Sequence, residues 1–138
     1  MADGLSNTEE IEALADQLSQ AADQIHARIM RDIKAGKGDQ DTARQLLDDE
    51  LVLRQRANGL YADAATYVVK ALGRSQQQVL ALTTAAAAKL ARITRLADGL
   101  GLVAAMAALA GAAATGQPAP ILLALEKLHH AIDSTRPA

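Results

Sequence analysis

Apolar residues advance by threes and fours along most of this chain, the period of helices that bury one face. Ile11, Leu14, Leu18, Ala21, Ile25, Ile29 and Ile33 form the first such series and predict a helix ending at the Gly36/Gly38 punctuation. Ser6-Asn7-Thr8-Glu9 in front of it reads as a capping box, with Ser6 serving a free backbone N–H and Glu9 reaching back. Glu10 and Glu12 suit the positive end of the helix dipole. A second helix is predicted to open at Asp39 or Asp41 and to run to Leu72, where Gly73 stops it. Its expected inner face is Leu47, Leu51, Ala57, Leu60, Tyr61, Ala64, Val68 and Leu72. Gly59 lies inside that helix, a loss of about 1 kcal/mol relative to alanine, and predicts a close helix approach or a bend. Ser75-Gln76-Gln77-Gln78 repeats the capping signature before a third series, Val79, Leu82, Ala86, Leu90, Ile93, Ala97 and Leu100, which Asp98-Gly99 ends or kinks.

The alternation is then lost. Residues Gly99 to Leu125 contain no charged side chain, although 22% of the chain is charged. From Leu100 to Ala114 the sequence is helical in propensity and apolar all round, and a helix with no polar face is enclosed by something. Leu100, Leu102, Val103, Met106 and Leu109 supply its bulk, and Ala104, Ala108 and Ala112, with Ala107 and Gly111, line the side that another helix can approach closely. Gly116-Gln117-Pro118-Ala119-Pro120 breaks the chain, and Pro120 suits the first turn of a last helix carrying Ile121, Leu125, Leu128 and Ile132 inward. Residues 1–6 and 134–138 are expected to fray. The pattern predicts one all-α domain over residues 1–138, an antiparallel up-and-down bundle of four to five helices with two long N-terminal helices and an alanine-rich core.

Composition supports helices over strands: half of the residues are hydrophobic, dominated by alanine, and only two tyrosines represent the aromatics. The absence of cysteine removes disulfides, thiol nucleophiles and thiolate metal sites. Met1 to Glu12 is acidic and lacks the basic-then-apolar order of a secretory signal, so a cytoplasmic location is the expectation. A net charge of −2 conceals an asymmetry, with −6 over residues 1–69 and +4 over residues 70–138, so the two halves are expected to attract each other.

Little of this specifies chemistry. No nucleophile elbow, glycine-rich phosphate loop or His-Glu-x-x-His motif occurs in the sequence, so no enzyme activity and no cofactor are implied. Asp23-x-x-His26 and Glu126-x-x-His129 have the carboxylate–histidine spacing of two-metal bundles, but Asp23 falls opposite the Ile11–Ile33 stripe, where a core metal is out of reach, and no metal site is expected. His129-His130 reads as a solvated helix end. Histidine-phosphotransfer bundles are similar in size and architecture, yet the glycine-bearing context of their phosphorylated histidine is absent at His26, His129 and His130.

Lys89, Arg92 and Arg95 share one side of the third helix, with Lys70 and Arg74 also in the positive half, and form a candidate contact for an anionic partner. Too few basic groups and no aromatic platforms argue against nucleic acid. The same cluster precedes the charge-free stretch, the order of a cationic flank followed by a membrane-entering segment, but 15 helical residues fall short of the roughly 20 that span a bilayer. The expected function is therefore that of a non-catalytic helical-bundle protein acting through protein–protein contact, as adaptor, chaperone or immunity-type module. A homodimer is expected, because the two long helices outreach the short pair after Gly99. Leu100, Leu102, Val103, Met106, Leu109, Ile121 and Leu125 are the expected packing or partner face. The alternative is a peripheral or membrane-inserting protein using residues 99–125.

Overall fold

The computed structural model describes residues 5, 7–62, 64 and 78–135. They form five helices, α1 (Thr8–Lys34), α2 (Gln40–Ala62), α3 (Gln78–Leu90), α4 (Leu100–Ala113) and α5 (Pro118–Ser134), with a 3-10 turn at Leu96–Gly99 and no strand among the described residues. α1 packs on α2, α2 on α4, α4 on α5, α5 on α3, and α3 back on α1, so the five helices close a ring around one core. The fold is an all-α bundle, as the spacing predicts.

The N-cap of α1 is Asn7, whose Oδ1 accepts the Glu10 N–H at 2.9 Å; the Ser6 cap expected from the sequence lies outside the described residues. Glu9 and Glu10 in the first turn and Arg31 and Lys34 in the last both oppose the helix dipole. The exit is a Schellman turn: Lys37 N–H bonds the Asp32 carbonyl, Gly36 N–H bonds the Ile33 carbonyl, and Gly36 takes a left-handed φ of +67°. The stripe from Ile11 to Ile29 is buried as expected, whereas Ile33 is 52% exposed. The chain turns away there, and Asp32, paired with Arg28, fills the last inward position. Leu5 is fully buried in the core, so that position does not fray. Ser134 is helical, and Thr135 caps α5 through N–H bonds to Ala131 and Ile132.

Of the inner residues predicted for the second helix, Ala57, Leu60 and Ala64 are buried, but in the first half of α2 the inward register differs from the predicted one. Asp39 begins the helix by accepting the Thr42 hydroxyl and the Asp41 N–H. Ala43, Leu46, Glu50, Leu53, Ala57, Leu60 and Ala64 are buried, while Leu47 is half-buried, Leu51 is 56% exposed and Tyr61 faces largely outward. Both stripes carry the three-four spacing; the one chosen holds a glutamate whose partners are Arg54 of the same helix and His26 of α1. The expected inward Val68 and Leu72, the Gly73 stop and the Ser75 cap lie outside the described residues. A Cβ on Gly59 would meet nothing within 4 Å, so among the described residues no helix makes a close approach there.

The third helix also ends earlier than predicted, at Leu90 instead of near Leu100. Arg28 of α1 donates to the carbonyls of Ile93 at 2.6 Å and Thr94 at 2.7 Å, which turns Ile93 into the core. A Cβ on Gly99 would lie 3.2 Å from Ile93 and 3.3 Å from Ile25, so glycine is what lets this turn close. Ala97 is consequently exposed and Leu100 half-buried, and Leu96 occupies the inner position. Within α3, Leu82 is half-buried and Thr83 fully buried, its hydroxyl donating to the Val79 carbonyl at 2.7 Å.

Pro118 and Pro120 fall in the first turn of α5, and Ile121, Leu125 and Leu128 point inward. At 1.5 Å per residue α1 is about 40 Å long. Its stripe from Ile11 to Ile29 is nonetheless covered within one chain, because α3 and the 3-10 turn follow one another along it. For that part of α1 the length mismatch that suggested a dimer is met internally, while Ile33 stays exposed and the predicted end of the second helix lies outside the described residues.

Candidate functional site

Six of the seven expected packing residues, Leu102, Val103, Met106, Leu109, Ile121 and Leu125, are buried in the core of the single chain, and Leu100 is half-buried at its edge. The small side of α4 faces outward at Ala104 and is only partly covered along Ala108, Gly111 and Ala112. Arg56 of α2 lies over it, Nη1 donating to the Ala107 carbonyl at 2.6 Å, and a Cβ on Gly111 would come within 3.1 Å of that guanidinium. The missing side chain thus admits a cation where a second helix was expected.

The two carboxylate–histidine pairs go to different places. Asp23 and His26 face α2: His26 Nδ1 lies 2.8 Å from Glu50, and Arg54 bridges Glu50 at 2.6 Å and Asp23 at 2.8 Å. The Glu50 hydrogen bond, aided by Asp23, raises the Arg54 pKa above its ordinary value against the opposing effect of burial. Glu126 and His129 lie on the outer side of α5, where His129 approaches Asp133 at 3.2 Å. α3 separates α1 from α5 in the ring, so the pairs do not converge. Among the described residues no three His, Asp or Glu side chains gather as a metal site.

Among the described residues, no ion pair joins the acidic half to the basic one. Arg28–Asp32, Arg54–Asp23, Arg54–Glu50 and His26–Glu50 lie within the acidic half, and Arg95–Asp98 and His129–Asp133 within the basic one. Across the halves, Arg28 and Arg56 bond backbone carbonyls.

The expected basic trio separates. Lys89 donates to the carbonyls of Ile132 at 2.8 Å and Thr135 at 3.0 Å, closing the C-terminus of α5, while Arg92 is exposed. Arg95 instead joins cations of α1 around a cleft of about 560 Å3 between the end of α1, the α1–α2 turn and the 3-10 turn. Arg28, Arg31, Lys37 and Arg95 line it with only two carboxylates, Asp32 and Asp39. A second cleft, about 400 Å3, opens on the other side of the same turn between Ile33 and Leu47, with Lys37 and Arg44 at its rim. Both clefts share Lys37, Gly38 and Asp39, so one turn separates a cationic hollow from an apolar one.

No known family, curated protein or solved structure matches this chain. The candidate site therefore rests on geometry alone. The sequence pointed to Arg95 but gave no sign of Arg31 and Lys37, which lie some sixty residues away along the chain and meet it only because Arg28 staples the α3 exit onto α1.

Proposed function

We propose that the protein is a non-catalytic helical-bundle module acting through protein–protein contact, with a second copy of this chain covering the outer face of α2. The observation that carries this reading is the exposed apolar ridge: Leu51 is 56% exposed, in line with half-buried Leu47, and Ile33, 52% exposed, borders the same cleft as Leu47. Single exposed leucines are ordinary, but a ridge beside an apolar hollow marks an interaction surface. Arg44 and Asp48 flank Leu47 one helical turn apart. A two-fold axis brings Arg44 of each copy toward Asp48 of the other, so the face is complementary to itself. A role as adaptor, chaperone or immunity-type module fits such a surface, and the lack of any reaction motif in the sequence supports it.

In sedimentation equilibrium the natural chain is expected as a dimer and Leu51→Asp as a folded monomer with unchanged helical circular dichroism. A dimer that survives Leu51→Asp would remove α2 as the contact. A membrane-associated reading draws support from Leu96–Ala113, which is long and apolar enough to cross a membrane by length and composition, with mean hydropathy 1.7 and half of its residues buried. Its bulky residues face the core, so lipid contact would require the bundle to open; co-sedimentation with liposomes tests that reading.

A further inference from the structure

We propose that the cationic cleft binds a phosphate-class oxyanion carried on a small soluble molecule, held by Arg31, Lys37 and Arg95. Four cations and two carboxylates line the cleft, an excess of two positive charges, and each carboxylate already accepts hydrogen bonds. Asp32 accepts Arg28 Nε at 3.1 Å, and Asp39 accepts the Thr42 hydroxyl and caps α2. Arg28 is also spent, its remaining nitrogens on the Ile93 and Thr94 carbonyls. Arg31 and Lys37 have no hydrogen-bond or ion-pair partner among the described residues, and Arg95 reaches Asp98 only at 3.5 Å.

Three cations thus line one hollow with one weak ion pair, Arg95–Asp98, and one further carboxylate, Asp39, to balance them. Like charges gathered this way repel, and a multivalent anion relieves the repulsion while accepting charge-assisted hydrogen bonds, arginine's fork matching phosphate geometry. The volume, about 560 Å3, is that of a small-molecule pocket and exceeds what a bare phosphate fills. The walls are set by Arg28, which fixes the turn preceding Arg95, and by the turn of left-handed Gly36 and Gly38, which carries Lys37 into the lining. The site does not rest on the dimer proposed above: Arg31 and Arg95 lie outside the cleft that borders Ile33 and Leu47, and Lys37 alone lines both.

The probe is inorganic pyrophosphate, titrated by calorimetry and amide NMR at low ionic strength against the full chain. Saturable binding is expected, with shifts centred on Arg31–Gly38 and Thr94–Ala97. Arg31→Gln and Lys37→Gln should each weaken it by about tenfold, and Arg92→Gln, at an exposed cation outside the cleft, should leave it unchanged. Circular dichroism of each variant shows that the fold is kept. No saturable binding, or equal weakening by Arg92→Gln, would overturn the proposal. So would co-sedimentation with phosphatidylglycerol vesicles that depends on Arg31 and Lys37 without pyrophosphate binding, since the oxyanion would then be a lipid headgroup.

Discussion

Glu50 shows how one residue decides the register of a helix. Its carboxylate is buried and held by Arg54 and His26, so the stripe containing it faces inward and the stripe containing Leu47 and Leu51 faces out. Removing the cation strands that carboxylate: Arg54→Met is expected to destabilise the fold by about 2 kcal/mol, less than the about 3–5 of a fully buried pair because Arg54 is partly solvated. Glu50→Leu should cost less than Arg54→Met, since it removes the buried charge itself and leaves Arg54 with Asp23. Urea denaturation ranks the two, and the reverse order would contradict this account. Two glycines make a second contrast at the same scale. Gly59→Ala should stabilise by about 1 kcal/mol, because its Cβ meets nothing. Gly99→Ala should destabilise by about 1–3 kcal/mol, because its Cβ presses on Ile93 and Ile25.

Whole elements were legible where one signal sufficed. The α1 stripe, its glycine exit and the proline start of α5 follow from spacing and turn chemistry within a few residues of one another. The end of α3 was not legible: Ile93 and Ala97 continue the period, and the helix stops because a side chain from α1 takes the Ile93 and Thr94 carbonyls. The same kind of long-range bond hid the fate of the basic trio, since Lys89 reads as a surface cation until the end of α5 arrives beside it. Lys89→Met should therefore cost about 1–2 kcal/mol by exposing the last carbonyls of α5. Hydrogen exchange would show this as loss of protection confined to the last turn of that helix; uniform loss along the chain would contradict a capping role.

For the molecule as a whole, the charge-free helix α4 is an interior wall of the bundle, with its bulk and Ala105, Ala107, Ala110 and Ala113 buried and only Gly101 and Ala104 fully outward. Met106→Asp places an unpaired carboxylate in a fully enclosed position at a cost of several kcal/mol, comparable with the stability of a domain this size, and is expected to abolish the cooperative thermal transition. A folded Met106→Asp protein would show that α4 can turn outward. Because the core closes within one chain among the described residues, self-association has to use a surface that remains exposed, and the proposed contact is the ridge of Leu47 and Leu51 beside Ile33, where Arg44 and Asp48 offer opposite charges to a second copy. The most direct test is the mass of the natural chain by light scattering on a sizing column, in detergent-free buffer and over a range of concentrations. The account predicts a monodisperse species of twice 14.4 kDa. A species of 14.4 kDa at every concentration would contradict it.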